Sequence, residues 1–348
     1  MKTSDLDYDL PEELIAQTPI EPRDAARLLV LDRASGALAH RHFRDLGDAA
    51  RVRRGDVLVF NDTRVLHARL RAVKVPTGGR VEVLLIKRLD ATTWEALVGG
   101  SAVRAGARLR IVPALERDAI DFAAEVIAEL DRGGRVLRFN RPIDADLNAL
   151  GSVPLPPYIH EPLRDAERYQ TVFARAPGST AAPTAGLHFT PRLMQALREQ
   201  GVEMAFVELR VGLDTFRPID EDEVEQHRIH TEYCRLSAQA AEQVDRARQA
   251  GGRVIAVGTT AVRTLETAAR SRTDRRVSSF EGDTHLYITP GFEFHVVDAM
   301  ITNFHQPRST LLALVSAFAG RDKILEAYRV AIAERYRFFS FGDAMLIL

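Results

Sequence analysis

A chain of 348 residues is long enough to bury a substantial core and fits one large domain or two ordinary ones. The formal net charge of -1 and a pI of about 6.8 exclude a globally basic nucleic-acid binder, so any such contact must use local basic clusters. One cysteine, Cys234, excludes an internal disulfide and a cysteine-based metal cluster. The start does not resemble a secretion signal, and the longest smooth apolar stretch, Leu311 to Ala319, is too short to cross a bilayer. We therefore expect a cytoplasmic protein with no membrane segment.

The first sixty residues predict two short strands separated by a turn. Leu28 to Asp32 is apolar and is followed by Ser35-Gly36, which is typical of a turn. Asp56 to Phe60 predicts the second strand, which ends at the polar cluster Asn61 to Arg64.

Strand-like runs then follow one another with little helical periodicity. Gly78-Gly79 and Gly133-Gly134 lie between runs and are typical of hairpin turns. Short strands with turns at this spacing predict a small sandwich or barrel. The predicted strands are Val65 to Val75, Arg80 to Arg88, Trp94 to Val98, Arg108 to Val112, Phe122 to Leu130 and Arg135 to Phe139.

After the proline-rich segment Val153 to Tyr158, predicted strands alternate with predicted helices. This alternation favours an α/β sheet covered by helices. Such sequence flanks the strand-rich region on both sides, so we interpret residues 64–147 as an insertion into a discontinuous domain of residues 1–63 and 148–348. The predicted elements are a helix from Thr190-Pro191 to Gly201, strand Met204 to Val211, helix Ala238 to Ala250, strand Val254 to Val257, helix Ala261 to Arg270, strands Leu286 to Thr289 and Met300 to Asn303, helices from Ser309 and Lys323, and strand Ala344 to Leu348.

Polar loops at predicted strand ends are the first candidates for a site, because ligands of open α/β sheets gather there. The turn Gly258 to Thr260 opens a helix that carries Arg263, and it suits either an anion or simple helix capping. Ala181 to Thr190 is small and polar, which would let a ligand approach its backbone. His188 in that loop can exchange a proton near neutral pH, although a lone loop histidine more often only forms a hydrogen bond.

Other polar positions keep two interpretations. Asn61 to Arg64 is either part of a site or a polar turn between domains, and Arg217 is either a ligand group or one side of a surface ion pair. His230 and His305 share the ambiguity of His188. The arginines and lysines between Arg51 and Arg110 either meet RNA phosphates or form a solvated strand face.

Motifs of several enzyme classes are absent from the sequence. It contains no dinucleotide-binding glycine pattern after a strand, no Walker loop, no zincin motif and no serine-hydrolase elbow. No metal-ligand spacing stands out either. Nicotinamide chemistry, P-loop hydrolysis of ATP, zinc proteolysis and serine hydrolysis therefore lose support.

Several separated blocks resemble the S-adenosylmethionine:tRNA ribosyltransferase-isomerase family of queuosine biosynthesis. The resemblance runs over nearly the whole chain, and its most specific blocks are Ala181 to Phe189, Gly258 to Glu266 and Val296 to Gly320. Two positions depart from the family pattern: Asp214 stands where glycine is usual, and His285 is unusual for its block.

The resemblance implies a layered α/β/α sandwich domain that carries an inserted small antiparallel β-barrel domain. It also implies an enzyme that moves the ribosyl unit of S-adenosylmethionine onto 7-aminomethyl-7-deazaguanine at the wobble position of tRNA. Isomerisation of that unit gives epoxyqueuosine, and adenine and methionine are released. S-adenosylmethionine is then a consumed substrate, so neither a cofactor nor a metal is expected. The expected partners are S-adenosylmethionine and the anticodon loop of queuosine-family tRNA, with the protein a monomer.

This chemistry assigns roles to the candidate residues, which we expect to converge in one cleft. A base must remove a proton from the ribose carbon beside the sulfonium. His188 is the first candidate for this base, followed by His305 and His230. Phe189, Tyr287 or Glu232 is expected at the sulfonium, and Arg263 or the Gly258 turn at the methionine carboxylate. The expected substrate-binding residues are Asn61, Asp62, Thr63, Arg64, Thr184, Gly186, Phe189, Arg217, Glu232, Tyr233, Gly258, Thr259, Thr260, Arg263, Tyr287 and Asn303.

Two other functions remain as alternatives at this point. An S-adenosylmethionine-dependent RNA methyltransferase would be expected to show a glycine-rich loop after an early strand, which the sequence lacks. A non-catalytic tRNA-binding protein that uses the inserted barrel is opposed by the polar loop blocks.

Overall fold

The computed structural model describes residues 1–48, 51–100, 103–114, 122–212, 218–270 and 276–348. The described chain divides into two compact units. The larger unit consists of Met1–Arg64, Pro156–Ala176 and Ala182–Leu348, and the smaller of Val65–Leu155 and Pro177–Ala181. Within these described residues, no helix has the length and apolar character that a membrane crossing requires.

Strands and helices are numbered in chain order. The strands are β1 (Arg27–Leu31), β2 (Leu38–His42), β3 (Val57–Asn61), β4 (Thr63–Val65), β5 (Arg69–Val75), β6 (Arg80–Arg88), β7 (Thr93–Val98), β8 (Arg108–Val112), β9 (Ala123–Glu129), β10 (Gly134–Phe139), β11 (Gly151–Ser152), β12 (Ala176–Ser179), β13 (Glu203–Leu209), β14 (Glu232–Leu236), β15 (Val254–Val257), β16 (Phe280–Thr284), β17 (Ala299–Asn303) and β18 (Ala344–Ile347). The helices are α1 (Leu147–Leu150), α2 (Pro191–Glu199), α3 (Ala238–Gln249), α4 (Thr259–Ala269), α5 (Thr310–Ala319) and α6 (Arg321–Ala333).

The larger unit is built on a nine-stranded mixed sheet in the order β16-β14-β13-β3-β15-β17-β18-β1-β2. The four neighbouring strands β13, β3, β15 and β17 are parallel to one another. On one side β14 and β16 continue the sheet in antiparallel pairing, and on the other β18 runs antiparallel to β17. The parallel strands therefore bring their carboxyl ends to one edge of the sheet.

Helices cover both faces of this sheet, because the central strands bury alternate side chains on each side. In β3, Val57 and Val59 join the core under helices α3 to α6. Leu58 and Phe60 join the opposite core, under α2 and the 3-10 turn Phe43–Gly47. The predicted layered α/β/α sandwich is confirmed.

The smaller unit is a closed antiparallel barrel, as predicted. Its strands follow the order β5-β6-β7-β10-β9-β8, and β8 pairs back with β5 to close it. Trp94, Phe122 and Phe139 fill the interior. Helix α1 and strand β11 also belong to this unit, since Leu147 and Leu150 join its core and β11 pairs with β5. The barrel unit consequently extends to Leu155, beyond the boundary at residue 147 expected from the sequence.

One predicted strand is wrong. Leu286 to Thr289 has no strand structure, whereas β16 occupies Phe280–Thr284 and pairs with β14. Leu286 and Ile288 are nevertheless 3% and 1% exposed, so the alternation in the sequence reports burial of an irregular segment. Periodicity alone does not separate these two cases.

Candidate active site

The ends of two neighbouring strands bring two of the sequence blocks together. Strand β15 leads into Gly258, and β17, its parallel neighbour, ends at Asn303. The N–H group of Gly258 donates to the carbonyl oxygen of Ile301 at 2.8 Å, and its φ of +89° favours glycine. The sheet thus fixes the start of α4 beside the end of β17.

The loop before α2 joins the same edge. The hydroxyl of Thr184 lies 2.9 Å from Oδ1 of Asn303 and donates to it. A β-carbon built on Gly258 would lie 3.6 Å from Cβ of Ala185, which is ordinary contact. Asn303 also donates from Nδ2 to the carbonyl oxygen of Phe339 at 3.1 Å, and this nitrogen lies 3.4 Å from Nε2 of His188. Asn303 is therefore the point where the loop residues Thr184 and His188 meet β17.

His188 is held as a neutral imidazole. Its side chain is buried, and its ring centroid lies 4.9 Å from that of Phe43. Burial, assisted by the positive charges of Arg337 and Arg23, lowers the pKa of His188 to about 3. The imidazole is therefore neutral near pH 7. The geometry suits a hydrogen-bonding role better than proton storage.

His305 is also buried and neutral. Its Nε2 lies 2.8 Å from the hydroxyl of Thr302, and burial lowers its pKa to about 3. The backbone is braced as well, since its N–H donates to the hydroxyl oxygen of Tyr328 at 2.8 Å and its carbonyl accepts from the hydroxyl of Tyr8. His305 therefore ties the N-terminal segment and α6 to the end of β17.

A cavity lies beside Arg263 on α4. Glu232 from β14, Tyr287, His230 and His227 also line it. Arg263 forms an ion pair through Nη1 with Oε2 of Glu232 and donates from Nε to the carbonyl oxygen of Leu286 at 3.1 Å. Both charged side chains are almost fully buried, at 7% and 6% exposure.

Two of the residues that line this cavity each have a buried polar atom that is not satisfied. No hydrogen-bond partner within the described part of the chain reaches Nη2 of Arg263 or the hydroxyl of Tyr287. Burial, with the negative charges of Glu225 and Glu221 nearby, raises the pKa of Tyr287, so its hydroxyl keeps its proton. A buried polar group without a partner costs about 1–3 kcal/mol, and a ligand that accepts hydrogen bonds would recover that cost.

The pair His227 and Glu221 was missed by reasoning from the sequence. Nδ1 of His227 lies 2.6 Å from Oε2 of Glu221, and His227 lines the same cavity as Arg263. The available signal was a second histidine three positions before His230. Its carboxylate partner lies across an irregular segment, where sequence periodicity is uninformative.

The run Asn61 to Arg64 mainly ties strands together. Nδ2 of Asn61 donates to the carbonyl oxygen of Leu209 at 2.9 Å, while Oδ1 accepts from the N–H of Leu209 at 3.1 Å. Thr63 donates from its hydroxyl to the same carbonyl at 3.3 Å. Asp62 pairs with Arg175 at 2.8 Å on the wall of an open groove, and Arg64 pairs with Glu167.

Other expected residues also contribute to the scaffold. Phe189 is fully buried, with its ring centroid 5.0 Å from that of Phe43 and 4.9 Å from that of Phe60. A β-carbon on Gly186 would lie 2.8 Å from the ring of Phe173, so the position requires glycine. Thr259 and Thr260 are buried in the first turn of α4, and Tyr233 donates from its hydroxyl to Glu281 at 2.8 Å. Arg217 and Asp214 lie outside the described residues.

His188, His305 and Arg263 line three cavities that adjoin one another. His305 lines one cavity and His188 lines another. The cavity of His305 shares Leu311 with that of Arg263 and Ser340 with that of His188. None of these three cavities gathers all three side chains, although successive cavities share a wall residue.

Comparisons with known proteins agree with one another over the whole chain. A family model described as "Queuosine biosynthesis protein" matches residues 3–347. Curated relatives named S-adenosylmethionine:tRNA ribosyltransferase-isomerase from Symbiobacterium thermophilum, Moorella thermoacetica and Desulfitobacterium hafniense are 54%, 52% and 50% identical, each over 100% of both chains. A crystal structure of an S-adenosylmethionine tRNA ribosyltransferase from Thermotoga maritima is 40% identical, with a TM-score of 0.57, and covers 99% of this chain and 100% of that one. The chain therefore belongs to the S-adenosylmethionine:tRNA ribosyltransferase-isomerase family of queuosine biosynthesis.

Proposed function

We propose that this chain moves the ribosyl unit of S-adenosylmethionine onto 7-aminomethyl-7-deazaguanine at the wobble position of the tRNA anticodon loop and isomerises it to epoxyqueuosine. Adenine and methionine leave as products. S-adenosylmethionine is consumed, so the reaction needs no separate cofactor and no metal. We expect a monomer in a reducing cytosol, in keeping with one buried free cysteine, Cys234.

The observation that carries the proposal is the unsatisfied Nη2 of Arg263, a residue that lines the cavity. The methionine end of S-adenosylmethionine is a zwitterion, with a carboxylate that needs donors and an ammonium that needs an acceptor. Arg263 and the hydroxyl of Tyr287 supply the donors, and charge-assisted bonds from arginine to carboxylate are among the stronger hydrogen bonds. The carboxylate of Glu232 supplies the opposite charge within the same cavity.

The sulfonium then falls beside the aromatic ring of Tyr287. A cation near an aromatic face gains about 0.5–2 kcal/mol, depending on how far it is desolvated. Phe189, the other aromatic side chain expected in this role, is enclosed by Phe43 and Phe60 in the core. Tyr287 and Glu232 are therefore the better supported partners of the sulfonium.

The proposal is tested by following each part of the substrate. The protein is incubated with S-adenosylmethionine labelled in its ribose and with tRNA that carries 7-aminomethyl-7-deazaguanine. We expect the ribose label in RNA, with one adenine released for each transfer. The matched control is the same tRNA with an unmodified guanine, which lacks the acceptor amine and is expected to take no label.

Two results would contradict the proposal. Transfer of a methyl label into RNA, with S-adenosylhomocysteine as product, would indicate a methyltransferase. Binding of tRNA that is unaffected by S-adenosylmethionine and yields no adenine would indicate a non-catalytic RNA-binding protein.

A further inference from the structure

The imidazole of His227 lines the cavity beside Arg263 and is paired with the carboxylate of Glu221. Nδ1 of His227 is 2.6 Å from Oε2 of Glu221, and the two side chains are 15% and 30% exposed. A carboxylate at neutral pH only accepts hydrogen bonds, so Nδ1 carries the hydrogen and Nε2 is the nitrogen left to take up a proton. The imidazole ring also contacts Tyr287, with the centroids 5.9 Å apart and the rings at 67°.

The N-terminal segment fixes the backbone of Glu221. The hydroxyl of Thr3 donates to the carbonyl oxygen of Glu221 at 2.6 Å. The N–H of Thr3 donates to the carbonyl oxygen of Asp222 at 2.8 Å. The N–H of Val224 donates to the carbonyl oxygen of Met1 at 2.9 Å. These contacts hold the segment between Glu221 and His227, so the carboxylate orients the imidazole before any substrate arrives.

His227 differs in kind from the buried histidines on the neighbouring strand edge. His188 and His305 are enclosed, and burial lowers the pKa of each to about 3, which opposes protonation near neutral pH. His227 is partly open to solvent and faces a carboxylate, which orients the imidazole and leaves Nε2 as its accepting nitrogen. Imidazole paired with an orienting carboxylate is a recurrent arrangement for general bases.

We propose that His227, oriented by Glu221, is the base that removes the proton from the ribose carbon next to the sulfonium. The C–H bond breaks, its electron pair stays on the carbon beside the positively charged sulfur, and the proton moves to Nε2 of His227. The pair on the carbon forms the C4′–C5′ double bond as the C4′–O4′ bond breaks, and the oxygen's pair forms the C1′–O4′ double bond as the bond to adenine breaks. Adenine leaves with the pair of that bond and takes the proton from Nε2, which restores the neutral imidazole. The assignment rests on the proposed function, because it needs the methionine end of the substrate at Arg263 in the same cavity.

The test uses the variants His227→Gln and Glu221→Gln in the full chain. His42→Gln is the matched control, since His42 is an exposed histidine beside a carboxylate, with Nδ1 4.0 Å from Asp45, on strand β2. Three quantities are measured: turnover with modified tRNA, affinity for S-adenosylmethionine by calorimetry, and exchange of the ribose C5′ hydrogen with heavy water by mass spectrometry. The exchange reports proton removal directly, and a purely structural change would not remove it selectively.

We expect His227→Gln to lose about 10²- to 10⁴-fold in turnover and to lose the exchange, while the Kd for S-adenosylmethionine stays within about threefold. Glu221→Gln keeps the hydrogen bond but loses the charge, so we expect a smaller loss of about 10- to 100-fold in turnover and exchange with the same affinity. His42→Gln is expected to match the unsubstituted protein in all three.

The assignment is overturned if His227→Gln keeps turnover and exchange within about threefold, or if it loses only affinity for S-adenosylmethionine. Should that variant not fold, Glu221→Gln decides alone, and undiminished exchange in that variant counts against the assignment. Failure of the unsubstituted protein to transfer ribose would instead refute the proposed function. The two failures are therefore distinguishable.

Discussion

The cavity at Arg263 and the cluster around Asn303 both contain polar side chains and a histidine. The two regions differ in how far their polar groups are hydrogen-bonded. The side-chain amide of Asn303 forms hydrogen bonds with the hydroxyl of Thr184 and the carbonyl oxygen of Phe339, and the nearby imidazole of His188 is buried and neutral. At Arg263, the charged pair with Glu232, Tyr287 and His227 line a cavity, and two of their polar atoms lack partners among the described residues. Satisfied polar groups stabilise a fold, whereas unsatisfied ones at a cavity indicate where a ligand completes the bonding. The distinction depends on hydrogen bonding, which the residue types alone do not reveal.

The largest effect is expected from Arg263→Gln, which removes one side of the charged pair. The variant leaves the buried carboxylate of Glu232 without its ion pair, so we expect a loss of about 3–5 kcal/mol in the free energy of unfolding. Affinity for S-adenosylmethionine should fall about 10- to 100-fold through the lost charge-assisted bond. Urea unfolding and calorimetry measure the two effects separately, at a temperature where the variant is folded.

The double variant Arg263→Leu with Glu232→Leu separates pairing from ligand binding. It removes both charges, so we expect it to recover most of the lost stability without recovering affinity. Recovery of both would mean that this pair serves the fold alone.

A second prediction concerns the neutral histidines at the strand edge. The pKa of His188 is lowered in the folded state, so its contribution to stability is present above its unfolded pKa and is lost as pH falls towards about 3. Between about pH 6.5 and 4 it should contribute a slope of up to about 1.4 kcal/mol per pH unit.

His188→Gln should reduce this slope, because glutamine does not titrate. The measurement is the urea midpoint of both proteins at several pH values in that range, converted to free energy. The control is His160→Gln, an exposed histidine in the same unit, which should leave the slope unchanged. Identical slopes in His188→Gln and the unsubstituted protein would show that His188 is not held neutral.

The smallest effect is expected from Tyr287→Phe, which removes one hydroxyl from the cavity wall. That hydroxyl has no partner within the described residues, so stability should change by less than about 1 kcal/mol. The KM for S-adenosylmethionine should rise about 3- to 10-fold, with kcat nearly unchanged, if the hydroxyl binds the substrate carboxylate equally in ground and transition states. Tyr169→Phe, at a buried tyrosine packed against Phe341, is the matched control and should leave KM unchanged. An equal KM for Tyr287→Phe would exclude this role for the hydroxyl.

Much of the fold could be predicted because its signals are local. The apolar run Val254–Val257 followed by Gly258 predicts a buried strand and a turn, and the structure has both. Thr190 and Pro191 predict a helix start, and the hydroxyl of Thr190 accepts from the N–H of Leu193 at 3.1 Å. Local dihedral preferences and capping determine such features, so a single sequence contains them.

The site was less predictable because its contacts join distant segments. Asn61 has the polar character of a ligand group, yet both ends of its amide bind the backbone of Leu209 on the neighbouring strand. His227 carries no distinguishing sequence pattern, because its pairing with Glu221 and the contact of Glu221 with the N-terminal segment arise only in the fold. Strand order and the course of irregular segments decide these pairings, and neither leaves a periodic pattern in the sequence.

A crystal structure of the protein with S-adenosylmethionine tests the central claim most directly. We predict that the methionine carboxylate lies about 2.7–3.2 Å from Nη2 of Arg263, with the sulfonium beside Tyr287. Density for the methionine end in the cavity of His188, with Nη2 of Arg263 still without a ligand, would contradict the account.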